Sequence, residues 1–99
     1  MEREVINFEK RHMIGILLFV RSMGGTCTRM QLYNGLANND SIPRKLAMLE
    51  SYGLIVQEED YNTRAMRITM TEKGLKVVSM FLEIDGLVSD RPRRRLTPS

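Results

Sequence analysis

One short stretch, residues 41–52, limits the folds open to this chain more than any other. Ile42, Leu46 and Leu49 recur at the spacing that places side chains on one face of a helix. A proline falls in the first turn, where its missing N–H loses no hydrogen bond, and Gly53 supplies the left-handed conformation that ends a helix. The pattern predicts an amphipathic helix about 16 Å long that leads directly into a strand.

A second, shorter helix is predicted just before it. Thr28 opens this helix because T-R-M-Q places Gln31 where the two side chains can bond reciprocally to the backbone, as in a capping box. The polar turn N-N-D at residues 38–40 then leads into the next helix, which Asp40 or Ser41 can cap. Two short helices joined by such a turn meet at an angle, so the sequence predicts a helix-turn-helix.

Alternating side chains further along predict a hairpin. In R-A-M-R-I-T-M, residues 64–70, the methionines and the isoleucine share one face of a strand. The preceding connection, residues 57–63, is polar and carries three acidic residues, as an exposed tip does. Thr71 can then cap a final helix that is rich in apolar residues. The hairpin is therefore predicted over residues 54–70.

The two ends of the domain are predicted to be long helices. No proline interrupts residues 4–23, and two glycines follow that segment. Both this helix and the final one carry more apolar side chains than one core-facing stripe requires. The surplus either wraps a small, methionine-rich core or pairs with a second copy, and we favour pairing. We predict a single domain over residues 1–88, with dimerising first and last helices, and a basic, disordered tail over residues 89–99.

Two segments carry a resemblance to a known family. They are L-A-M-L-E-S-Y-G-L-I at residues 46–55 and I-T-M-T-E-K-G-L-K-V-V at residues 68–78. Residues 28–85 resemble winged helix-turn-helix regulators, including the MarR-like, PadR-like and small archaeal or archaeal-virus groups. The first helix is consistent with their order α-α-α-β-β-α but is not specific to them. The resemblance implies a mainly α, α+β fold whose third helix lies in the major groove of double-stranded DNA. It also implies pairing through terminal helices, which sets two third helices about 34 Å apart.

Seven side chains are candidates for DNA contact in this arrangement. They are Asn39, Ser41, Arg44, Lys45, Met48, Arg64 and Arg67. Arg44 lies near the start of the third helix and points outward, so its planar fork can hold guanine O6 and N7 or a phosphate. The polar residues at the start and flank of that helix can bond phosphates. The predicted hairpin, residues 54–70, is the wing of this fold, and its acidic tip would be repelled by phosphates. The wing therefore either stays off the DNA at its tip or contacts it only through Arg64 and Arg67.

These features predict a homodimeric, sequence-specific DNA-binding transcription regulator that represses by steric occlusion. The formal net charge of +3 and the pI near 9.4 are compatible with a polyanionic partner. The basic run at residues 91–95 either adds phosphate contacts or is simply a solvated end. The alternative is a protein–protein interaction module in which the acidic wing and the apolar terminal helices dock onto another protein.

The sequence contains no motif that is typical of an enzyme, a cofactor site or a metal site. His12 and Cys27 are the single histidine and cysteine, and no Gly-rich phosphate loop or paired metal-ligand motif occurs, so we expect no enzyme, cofactor or metal site. Cys27 is either a redox sensor or, as we favour, a small buried residue. The most apolar run, residues 13–20, is far shorter than the roughly 20 residues of a membrane span, so we expect a cytoplasmic protein. A small-molecule effector is left open.

Overall fold

The computed structural model describes residues 3–10, 12–36 and 41–90. A 3-10 helix at Glu4–Glu9, the N-terminal segment, comes first, and the later elements follow in chain order. They are α1 at Met13–Ser22, β1 at Thr26–Thr28, α2 at Arg29–Gly35, α3 at Ile42–Ser51, β2 at Ile55–Glu59, β3 at Met66–Met70 and α4 at Glu72–Ser89. The predicted mainly helical α+β class is confirmed, and the element order is consistent with a winged helix-turn-helix.

The first predicted helix, however, is divided in two. The prediction of one helix over residues 4–23 is wrong, because Lys10 is extended and His12 is left-handed with φ 70°. Tertiary contacts explain the break. Phe8 packs against the rings of Tyr52 and Phe81, with ring centroids 6.3 and 5.3 Å away, and these contacts draw the N-terminal segment across α3 and α4. Helix propensity is weak enough for such packing to override it.

A third strand, β1, was not predicted. It is three residues long and pairs antiparallel with β3, so the sheet has the order β1-β3-β2. This pairing makes β3 the central strand and places Arg67 between Thr28 of β1 and Glu58 of β2. A run of three residues is too short to show a period, which is why the sequence did not reveal it.

The core lies between α1, α2, α3, the inner face of the sheet and the start of α4. The inward stripe predicted for α3 is confirmed, since Ile42, Leu46 and Leu49 have no exposed surface. The interpretation of Cys27 as a small buried residue also holds, because it is 1% exposed and burial raises the pKa of its thiol, against a smaller lowering by Arg67. Among the described residues, the buried apolar ones are Met13, Ile16, Leu17, Val20, Cys27, Leu32, Ile42, Leu46, Leu49, Leu54, Ile55, Ile68, Met70 and Val78.

Three of the predicted helix ends, at Thr28, Thr71 and Gly53, follow local chemistry, and the one at Ser41 does not. Thr28 and Gln31 form both bonds of the predicted capping box, and the hydroxyl of Thr71 accepts from the amide of Gly74. Gly53 has the expected positive φ of 78°. Ser41 precedes α3 but is left-handed and its side chain makes no capping bond, so its predicted capping role is wrong. Asp40, the other candidate cap, lies outside the described residues.

The last helix, α4, leaves the body of the domain after its first turns. Only Gly74 and Val78 are buried on it, and every residue from 82 to 89 is exposed. The backbone comes so close to β2 that a Cβ on Gly74 would collide with the carbonyl oxygen of Leu54. The helix reaches Ser89, one residue past the predicted end of the domain, and residues 91–99 of the predicted tail lie outside the described residues. Within the described residues, no helix has both the length and the apolar character that a membrane crossing requires.

Candidate nucleic-acid interface

The outward face of α3 presents three exposed side chains on successive turns, Arg44, Ala47 and Ser51. This is the face opposite the buried stripe, so it follows directly from the period of the helix. Arg44 makes no hydrogen bond or ion pair with any residue in the described part of the chain. The hydroxyl of Ser51 donates to the carbonyl oxygen of Met48 at 2.6 Å, so its proton is used within its own helix. Arg44 is therefore the cation on this face that a ligand can engage.

The other predicted contacts around α3 differ in how accessible they are. Ser41 is exposed at the start of the helix. Lys45 is half-buried and takes part in an interaction within the domain. Met48 is half-buried and packs against the core, so only part of its side chain faces outward. Asn39 lies outside the described residues.

A chain of hydrogen bonds that the sequence did not reveal joins α2, β2 and α3. Arg29, the first residue of α2, donates from Nε and Nη2 to Oε1 of Gln57 at 3.0 and 2.7 Å. Gln57 in turn donates from Nε2 to Oε1 of Glu50 at 3.0 Å, and from its backbone N–H to Oε2 at 3.3 Å. The Arg29–Gln57–Glu50 chain therefore ties the wing to both helices of the helix-turn-helix and holds the Glu50 carboxylate against β2.

The connection between β2 and β3, residues 60–65, is closed by hydrogen bonds to the side chain of Asp60. One carboxylate oxygen of Asp60 accepts from the backbone N–H groups of Asn62 and Thr63 at 2.9 and 3.2 Å. These bonds to the backbone, Thr63 first, lower the pKa of Asp60 below its ordinary value. The turn closes as the amide of Arg64 donates to the carbonyl oxygen of Asp60 at 2.8 Å. The Asp60 carboxylate is thus hydrogen-bonded within its own turn.

The two arginines predicted on the wing lie at different places. Arg64 is left-handed, with φ 65°, and pairs with Glu59 at 3.2 Å on the surface, where both side chains are mostly exposed. A pair of this kind contributes at most about 1 kcal/mol, so Arg64 can exchange Glu59 for another anion. Arg67 lies on the outer face of the sheet and donates from Nη1 to Thr26 Oγ1 at 3.3 Å. The nearby carboxylate of Glu58 occupies the opposite position on β2.

The C-terminal end of α3 is fixed by contacts with both ends of the domain. The hydroxyl of Tyr52 donates to Oε1 of Glu4 at 2.8 Å and accepts from Nδ2 of Asn7. The bond to Glu4 is the main reason that the pKa of Tyr52 is raised, because it stabilises the protonated phenol. Lys73 of α4 donates to the carbonyl oxygen of Tyr52 at 2.7 Å and so satisfies a helix-end acceptor. The N-terminal segment and α4 therefore both hold α3 in place.

The arrangement of these elements is shared with solved structures of a transcriptional regulator. The fold matches the organohalide sensing RdhR-CbdbA1625 transcriptional regulator, with a TM-score of 0.70 for its 2,4-dichlorophenol bound form and 0.68 for its ligand free form. The identity is 22% in both cases, and the match covers 86% of this chain and 55% of the regulator's chain. The protein thus spans about half the length of that regulator and shares its fold. No protein-family model matches the sequence, and no curated protein is significantly similar to it.

Sequence reasoning found the residues whose position depends on one element alone. Arg44 faces outward on α3 and Arg67 lies on the outer face of β3, as their spacing indicated, but Arg64, expected on the same strand, is left-handed and precedes it. It missed Arg29 and Gln57, which are 28 residues apart and have no local pattern that joins them. The only available signal was indirect: a polar residue at the inward position of β2 needs a hydrogen-bonding partner if it is partly buried.

Proposed function

We propose that the protein is a homodimeric transcription regulator that binds double-stranded DNA with sequence preference. The observation that carries the proposal is α3, which has three fully buried residues on one face and an exposed, available Arg44 on the other. Its ten residues span about 15 Å, which suits a major groove about 12 Å wide. The fold shared with a transcriptional regulator supports this use of the helix.

The other predicted contacts take supporting roles in this complex. Ser41 and Asn39 at the start of α3 and Lys45 on its flank bond phosphates, while the exposed part of Met48 contacts the groove wall. Arg64 and Arg67 reach the backbone from the wing. Because the carboxylate of Asp60 already accepts from two backbone N–H groups of its own turn, the acidic tip repels phosphates less than its sequence suggested. Residues 1–88 form the DNA-binding and dimerising domain, and the basic tail that follows adds phosphate contacts.

A second copy of the chain would cover the apolar surface of α1 and α4. Between these helices lies a groove of about 340 Å³, lined by Ile14, Leu18, Phe81, Leu82, Ile84, Asp85 and Val88. At the end of α4, Val88, which lines this groove, and its neighbour Leu87 are 72% and 78% exposed. Residues 80, 84, 87 and 88 recur at helical spacing, so they form one apolar stripe that suits a helix–helix interface. A two-fold axis along it would place two α3 helices about one DNA turn apart.

Salt-dependent DNA retention tests the proposed function. Labelled genomic fragments of mixed sequence are titrated with the protein at rising salt, and binding is followed by fluorescence anisotropy. We expect log affinity to fall linearly with log salt concentration, by about 0.9 for each phosphate contacted. Arg44→Ala is expected to weaken binding to selected sites by about 5- to 150-fold, the range for one lost bidentate base contact. Lys76→Ala, which removes an exposed charge from α4, serves as the matched control and should bind as the wild type does.

The alternative has a distinct outcome in the same experiment. If the wild type retains no DNA even at low ionic strength, the regulator proposal fails and the protein-interaction module takes its place. If Arg44→Ala and Lys76→Ala bind every sequence equally well, α3 does not read bases.

A further inference from the structure

The outward face of α3 has few side chains that could contact DNA bases. At its centre are Arg44, a bidentate donor, and Ala47, whose exposed side chain is a single methyl group. Ser51 follows one turn later, but its hydroxyl proton is bonded to the carbonyl of Met48. Base contacts in helix-turn-helix proteins come mainly from the first turns of this helix. The residues placed to read bases are therefore Arg44 and Ala47.

Glu50 is the one acidic side chain on α3, and hydrogen bonds hold its carboxylate against β2. A free carboxylate at this position could accept from the N4 amino group of cytosine and would also repel phosphates. Both of its oxygens instead accept from Gln57, which Arg29 holds from the other side. The Arg29–Gln57–Glu50 chain thus leaves α3 without a free carboxylate that could accept from a cytosine amino group.

We propose that each α3 reads a guanine with Arg44 and the C5-methyl group of a thymine with Ala47. The guanidinium fork matches guanine O6 and N7, and small apolar side chains such as alanine contact the thymine methyl. The two residues are three positions apart, which is about 4.5 Å along the helix against 3.4 Å for one base step. The guanine and the thymine therefore lie within two base pairs of each other. This inference rests on the proposed function and specifies the half-site that it requires.

Selection from random DNA supplies the first test. Duplexes bound by the full chain at moderate salt are amplified and sequenced. Guanine and thymine within two base pairs of each other in each half-site is the expected result. A selected half-site without guanine overturns the assignment of Arg44, and one without thymine beside it overturns that of Ala47.

Single-atom changes in the selected duplex supply the second test. Replacing the guanine by 7-deazaguanine removes the N7 acceptor and should weaken wild-type binding by about 5- to 10-fold, but should leave Arg44→Ala binding unchanged. Replacing the thymine by deoxyuridine removes one methyl group and should weaken wild-type binding by about 4-fold. That second effect should vanish in Ala47→Gly, whose folding is checked by circular dichroism because glycine weakens a helix.

The outcomes separate this inference from the proposal on which it rests. If the protein selects a sequence but 7-deazaguanine and deoxyuridine leave its affinity unchanged, the regulator function stands and the base assignment is overturned. If each analogue weakens the alanine or glycine variant as much as the wild type, the contact belongs to another residue and the assignment is again overturned. If no sequence is enriched and no salt-dependent binding occurs, both proposals fail together.

Discussion

The hydrogen-bonded chain between α2, β2 and α3 gives a stability prediction that its geometry specifies. In Gln57→Glu the new side chain keeps the acceptor for Arg29 but replaces the amide donor by an oxygen, 3.0 Å from the Glu50 carboxylate. At this distance the repulsion is about 1.4 kcal/mol even in water, and one hydrogen bond of about 1 kcal/mol is lost. A new surface ion pair with Arg29 returns at most about 1 kcal/mol. We expect a net loss of about 1 to 2 kcal/mol in the free energy of unfolding.

Exchanging the two residues provides the decisive comparison. In the double variant Glu50→Gln/Gln57→Glu, the amide at position 50 donates to the carboxylate at position 57, and its oxygen can still accept from the backbone N–H. The net charge also stays the same as in the wild type. The stability of the double variant is therefore expected to return to within about 0.5 kcal/mol of the wild type.

Urea unfolding followed by circular dichroism measures these differences at pH 7 and one fixed protein concentration, because a dimer's stability depends on concentration. The loss in Gln57→Glu corresponds to a fall in melting temperature of about 5 to 15 °C. Ser79→Glu, which also adds one negative charge, at an exposed residue of α4, controls for the change in charge. The reasoning is refuted if the double variant is no more stable than Gln57→Glu alone.

Three further predictions follow from other parts of the fold. Gly74→Ala should destabilise the protein by about 1 to 3 kcal/mol, because its Cβ would collide with a backbone carbonyl oxygen. The Cβ of Gly86→Ala on the same helix meets open space, so this variant should stabilise the protein by up to about 1 kcal/mol. Thermal melts that rank the two variants the other way would contradict the packing of α4. Leu87→Glu should shift the sedimentation coefficient from dimer to monomer at micromolar concentration without loss of helix signal, and an unchanged dimer would exclude the end of α4 from the interface. The pKa of Tyr52 is raised in the folded state, so the stability from its bond to Glu4 should be fully present below pH 10.0, the ordinary pKa of the group, and should be lost as the pH rises through the folded pKa. Urea unfolding should show a loss of stability in this pH window that Tyr52→Phe lacks. Equal pH profiles of the two proteins would refute the link.

Features set by local spacing could be predicted from the sequence. The buried stripe of α3, its end at Gly53, the capping box at Thr28 and the alternation of β3 each depend on residues within about two turns or one strand of each other. Such features are fixed by the period of the element and the chemistry of its ends. The outward position of Arg44 follows from the same period, so the centre of the candidate site was also predictable.

The N-terminal segment, β1 and the Arg29–Gln57–Glu50 chain depended on tertiary structure. Glu4 meets Tyr52 across 48 residues of sequence, and β1 exists only because β3 lies beside it. No local pattern encodes such contacts, since each requires the two partners to be brought together by the packing of the core. The sequence by itself therefore determined which face of α3 could meet a ligand. The tertiary structure decided which side chains on and around α3 are available, because contacts from β2 and α2 engage Glu50, whereas no residue in the described part of the chain engages Arg44.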